Sequence, residues 1–225
     1  MAFSCFSPSW FFGWDVGFEL VFAIILLTIS IFAFKAYKIS DQKKIKYIGY
    51  GFLFIGISYI IQSVFNFLII SKLDDNLCRI ILLKQIVLLE ALALYFHLTL
   101  WTIGLMFLVY MTFRSENKLL LVLLNIIALL AIFMSENIIF TFYLISSAIV
   151  IYLVCHFMSN YLKNNKKNAL LIAIAFLFLL VSEIHFLFSM DHTKFYVIGH
   201  IFELISYLII LFNFYVIHKN ESKKR

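Results

Sequence analysis

A chain of 225 residues that is 64% hydrophobic and 13% charged, with mean hydropathy +1.02, is not a water-soluble domain; those carry about 25% charged residues. Its formal net charge of +6 does not point to nucleic acid, because no soluble domain of useful size remains once the apolar stretches are assigned. Those stretches run to about 20 residues, enough to cross a hydrocarbon core of about 30 Å, and they are continuously apolar rather than alternating, which selects helices over a barrel.

Residues 1–14 (MAFSCFSPSWFFGW) are aromatic and uncharged, without the Lys or Arg that opens a signal peptide. They read as an interfacial strap outside the membrane, with Trp10 and Trp14 at headgroup level. Pro8 is the single proline and precedes every span, so no proline kink is expected. The transmembrane domain is expected over 15–218 as seven helices, an all-α polytopic bundle. Span one covers about Val16–Tyr37 and span two about Tyr47–Ile70, with a basic loop between them. Span three, about Ile80–Phe113, outreaches a bilayer and must tilt or protrude. Span four, about Leu119–Met134, is short, and a re-entrant fourth segment would reduce the count to six. Spans five to seven follow at about Ile138–Phe157, Ala169–Met190 and Phe195–His218, then a basic tail over 219–225.

Orientation follows from where the lysines and arginines fall. One set of loops and the tail carry Lys35, Lys38, Lys43, Lys44, Lys46, Arg114, Lys118, Lys163, Lys166, Lys167, Lys219, Lys223, Lys224 and Arg225; the other side has only Lys72, Arg79, Lys84 and Lys194. The positive-inside rule then puts the N-terminus outside and the C-terminus in the cytoplasm of a multi-pass cell-membrane protein. The basic tail serves as a topology signal and an anionic-lipid contact. Cys5 and Cys78 both fall outside, and a disulfide between them would pin the strap across the bundle mouth.

With direction set, buried polarity gathers in the outer half. Glu90 and His97 share a face of span three; Gln62 and Asn66 lie in span two; Glu183 and His185 lie in span six; His200 and Glu203 lie in span seven. Each ionisable group placed in hydrocarbon costs about 2.5–3.5 kcal/mol, so such groups pair, line a cavity or act. The expectation is a polar, net acidic cavity open to the outside, lined by spans two, three, six and seven. Ser182, His185, Ser189 and His192 repeat at three and four residues, so His185 is expected to face the cavity with His200 and Glu203, while Glu183 points elsewhere. The plainer reading is that these groups are interhelical hydrogen bonds worth about 0.6 kcal/mol each.

Three functional readings differ in chemistry. A sensor or receptor would bind a small ligand at Glu90, His97, His185, His200, Glu203, Gln62 and Asn66. A divalent metal such as zinc on His185, His200 and Glu203 would suit a metal-dependent intramembrane hydrolase, although no compact HExxH motif is present. A cation- or proton-coupled transporter would use the same acids, although the chain shows no internal repeat or Gly/Pro-broken half-helices. Retinal is argued against, because span seven has lysines only at its ends, Lys194 and Lys219.

The run Gly199-His200-Ile201-Phe202-Glu203-Leu204-Ile205-Ser206-Tyr207 resembles the closing helix of membrane-associated sensor domains of the MASE class. Those place a Gly-His pair at the outer start of their last helix, with a basic residue expected where this chain has Glu203. The layout also resembles small uncharacterised seven-helix proteins of archaeal type. The resemblance implies sensing, with the bilayer as surroundings and a separate cytoplasmic or membrane signalling partner as the output, since no output domain follows in this sequence.

Overall fold

The computed structural model describes residues 8, 10–11, 13–73, 79–113, 117–165, 167–189 and 192–222, those at 72–73, 79–86, 218 and 220–222 by their backbone alone. The expected Cys5–Cys78 disulfide lies outside the described residues. Seven helices are present among them: α1 (Trp14–Ser40), α2 (Lys43–Leu73), α3 (Arg79–Tyr110), α4 (Lys118–Phe133), α5 (Ile138–Asn164), α6 (Lys167–Ser189) and α7 (Lys194–Ser222). Several overrun the expected apolar spans, because backbone hydrogen bonding continues into the polar flanks where hydropathy has already fallen. In lipid a backbone N–H has no water to bond, so an apolar run satisfies itself as helix.

The stops are local. Asp41 and Asn165 take left-handed φ values of 53° and 49°, and their N–H groups close α1 and α5 onto Tyr37 O and Tyr161 O. Asn117 and Asn137 cap α4 and α5, accepting from Leu119 N at 3.0 Å and Phe140 N at 3.2 Å.

Six of the helices, all but α4, are long and apolar enough to cross a membrane. The chain is a multi-pass helical membrane protein, and its outward faces are apolar: Ile24, Phe67, Leu88, Ile184 and Phe212 are all exposed, as contact with lipid tails requires.

The helices alternate in direction. Ser30 meets Gly49 and Asn66 meets Glu19 across α1 and α2, and Phe157 meets Phe176 while Tyr143 meets Phe186 across α5 and α6. The odd-numbered helices therefore all begin at one end of the bundle, the near end, and finish at the far end. Packing runs α1–α2–α3–α5–α6–α7 and back to α1. The result is a closed ring of six. α4 sits outside it, against α3 and α5. At 16 residues it is about 24 Å long, yet it carries the chain from the far end, where Thr112 bonds Tyr152, back up to Tyr95, which packs on Phe133.

Small residues set the closest approaches. Ser30 Oγ donates to Gly49 O at 2.9 Å, and Phe34 lies over that glycine. Ser182 Oγ donates to Gly199 O at 2.9 Å, with Phe186 over the glycine in the same way. Each hairpin thus uses a serine, an aromatic one turn later and a glycine on the facing helix. Glycine here permits backbone proximity, as in other membrane helix pairs.

Candidate functional site

The ring encloses a cavity of about 80 Å³ in its near half. All six ring helices reach it. α1 supplies Glu19; α2 supplies Tyr59 and Gln62; α3 supplies His97 and Trp101. On the opposite side α5 supplies Phe142 and Tyr143, α6 Glu183 and Phe186, and α7 Tyr196, His200 and Glu203. Three carboxyl groups and two imidazoles share this space, and no Lys or Arg is among the lining residues.

Glu203 is the best-tethered acid. Tyr59 OH and Tyr207 OH both donate to its Oε1, the latter at 3.0 Å, and the two hydroxyls lie 3.4 Å apart. Its Oε2 faces His200 Nδ1 at 3.4 Å, one turn back along α7, without hydrogen-bond geometry. Glu19 accepts from Asn66 Nδ2 at 2.8 Å through Oε1. The second oxygens of Glu19 and Glu203, Oε2 of Glu183, and Gln62 Oε1 are buried without a hydrogen bond. Buried polar atoms are normally satisfied, and these four open acceptors belong to residues that line one cavity.

His200 is only 5% exposed and is enclosed by rings. Phe18 and Phe22 lie at centroid distances of 5.9 and 5.8 Å, Phe186 at 5.0 Å and Tyr196 at 4.5 Å. Phe11, ahead of α1, stacks on it at 6.0 Å. Phe11 is buried whereas Trp10 and Trp14 beside it are 67% and 68% exposed. Phe11 thus inserts its ring into the bundle, while the indoles of Trp10 and Trp14 stay outside.

The expected arrangement on α6 is corrected. Glu183 is 2% exposed and lines the cavity, whereas His185 does not. Its Nδ1 donates to Val181 O at 2.7 Å, and its ring packs on Phe195 and Phe202 at the edge of the α6–α7 seam. The reason is that Ser182 marks the seam with α7, through its bond to Gly199, and not the cavity. The cavity face lies one residue further round. The proposed metal set His185, His200 and Glu203 is therefore not assembled, and no group of three or more His, Cys, Asp or Glu among the described residues could hold a metal ion.

Other expected site residues divide. Gln62, His97, His200 and Glu203 line the cavity; Asn66 acts one step back, through Glu19; Glu90 is partly buried, two turns from His97, and outside the lining. The expected lining by spans two, three, six and seven is incomplete, because α1 and α5 also contribute. α3 packs on α2, α4 and α5 and faces α6 and α7 across the cavity. Glu19, Tyr59, Trp101, Tyr143 and Tyr196 were not singled out from sequence as site residues. For Glu19 a signal existed: it belongs to the buried stripe Asp15, Glu19, Phe22, Leu26, Ile29, Ala33, spaced by three and four.

Comparison with protein-family models, curated proteins and solved structures finds no match.

Proposed function

We propose that the chain is a sensor- or receptor-like protein of the cell membrane that takes a small ligand into the central cavity from outside. The observation that carries this reading is the convergence of open, buried acceptors from α1, α2, α6 and α7 on one shared cavity. Interhelical bonding accounts for the Asn66–Glu19 and Tyr59–Glu203 contacts and not for those atoms. The near end is read as extracytoplasmic, because Lys38, Lys43, Lys44, Lys46, Lys118, Lys163, Lys167 and Lys219 gather at the far end and basic loops stay in the cytoplasm. α4 then completes a seventh crossing as a short helix, with the bilayer thinned or its lysine snorkelling to compensate. Ligand binding shifts such a bundle only through different affinity for two states, and a separate partner at the far end would receive that shift.

One experiment addresses access, sidedness and binding together. In a background with Cys5, Cys78 and Cys155 changed to Ser, Gln62→Cys places a thiol on the cavity wall. A small membrane-impermeant thiol reagent is expected to modify it from the outer face of oriented vesicles and not from the inner face. Small solutes that occupy the cavity are expected to slow that reaction. Modification from the inner face alone, or from neither face, would overturn the reading.

A further inference from the structure

The reading of the cavity as a ligand site can be deepened to a ligand class. Lining atoms Glu19 Oε2, Gln62 Oε1, Glu183 Oε2 and Glu203 Oε2 are buried acceptors with no donor. The open donors are fewer: Trp101 Nε1 and, since a neutral imidazole donates from one nitrogen only, one nitrogen of His200; His97 Nδ1 on the same wall is also buried without a partner. When ionised, the three acids carry negative charge that no lining Lys or Arg balances, with only His200 beside Glu203 as a potential cation, and a buried charge is costly until a guest of opposite sign meets it. A complementary guest therefore carries positive charge and several N–H donors. A metal ion answers the charge but finds no three ligands together among the described residues. The walls are instead rich in rings, with Tyr59, Trp101, Phe186 and Tyr196 among them, and aromatic walls favour organic cations.

We infer that the cavity binds a small primary ammonium ion, its N–H groups donating to Glu183, Glu203 and Gln62 and its alkyl end against the rings. Size limits the guest to a few heavy atoms, since about 80 Å³ is roughly half of a cavity that takes benzene. Methylammonium and ethylammonium are of that size. Glu183 carries the recognition most directly. It is 2% exposed, it lines the cavity, and its Oε2 has no partner.

The chain has three tryptophans, and Trp101 is the one on the cavity wall. In Trp10→Phe/Trp14→Phe protein, purified whole into lipid nanodiscs, Trp101 emission reports the cavity alone. Methylammonium chloride is expected to change that emission saturably, with affinity on the order of millimolar for so small a ligand. Sodium chloride at the same ionic strength is expected to leave it flat. Glu183→Gln is expected to raise the half-saturating concentration about tenfold or more, the scale of one charge-assisted hydrogen bond. Should either substituted protein fail to fold, the unsubstituted protein supplies the second measurement: its melting temperature is expected to rise with methylammonium and not with sodium. Saturable binding of acetate, acetamide or a divalent metal in place of the amine would overturn the ammonium assignment and leave the cavity as a ligand site. Flat emission and unchanged melting with every solute would overturn both.

Discussion

Gly104→Ala is expected to destabilise the bundle by about 1–3 kcal/mol, the usual cost of overpacking, and Gly104→Val by more. A Cβ at position 104 would sit 2.5 Å from Ile55 Cγ1, 2.7 Å from Gly51 O and 3.1 Å from Ile55 N. Two of those three atoms are backbone and cannot turn aside as a rotamer would. The α2–α3 pair must therefore separate, and the wall that carries Tyr59, His97 and Trp101 moves with it. Gly17→Ala is the control. Nothing lies within 4 Å of its Cβ position, so this change should be neutral or stabilise by roughly 0.5–1 kcal/mol through lower backbone entropy in the unfolded chain. Detergent-denaturation curves of the two variants would check the contrast. Matching curves would show that the α2–α3 crossing is not the tight contact described.

Glu203→Ala is expected to cost about 1–3 kcal/mol by orphaning a buried hydroxyl, whereas Glu203→Gln, which keeps a carbonyl acceptor for Tyr59 and Tyr207, should cost less than half as much. Two effects oppose each other at this position. Removing a buried carboxylate relieves its desolvation and its repulsion from Glu19 and Glu183. Against that, the two tyrosine hydroxyls lose their shared acceptor; lying 3.4 Å apart, they can turn to each other, but one then still lacks an acceptor. Orphaning should prevail for alanine, because the alanine also opens a void beside His200. A double-mutant cycle of Glu203→Ala with Tyr59→Phe, read by thermal unfolding, would check this: a coupling energy near zero would mean the Tyr59–Glu203 bond contributes nothing net.

The all-helical architecture and most boundaries were legible in the sequence for a simple reason. Continuous apolar runs in lipid have one backbone solution, and polar loops interrupt them visibly, as at Asn137 ahead of α5. The gathering of Glu203, His200, His97 and Gln62 toward one level of the bundle was legible too, because depth depends on distance along a helix. Helical phase was not. In water, periodicity separates the core face from the solvent face; in a bilayer both faces are apolar, so a stripe such as Ser182, His185, Ser189 has no calibrated direction. A reading by stripe alone therefore puts His185 where Glu183 lies. Neighbour relations were equally hidden. Nothing local in residues 14–40 says that α1 lies beside α7, so Glu19 could not be placed with Glu203.

The α1–α7 contact also bears on biosynthesis. Ribosomes deliver the chain from the N-terminal side, so Glu19 enters the bilayer long before Glu203 is made. Its early partner is Asn66, on the adjoining hairpin arm, which gives the carboxyl group a hydrogen bond during the wait. Until α7 is released, the nascent ring is an open arc whose polar inner wall faces lipid. A chain stopped after α6 would thus hold Glu19 and Glu183 in a groove that lacks the α7 wall of Tyr196, His200 and Glu203.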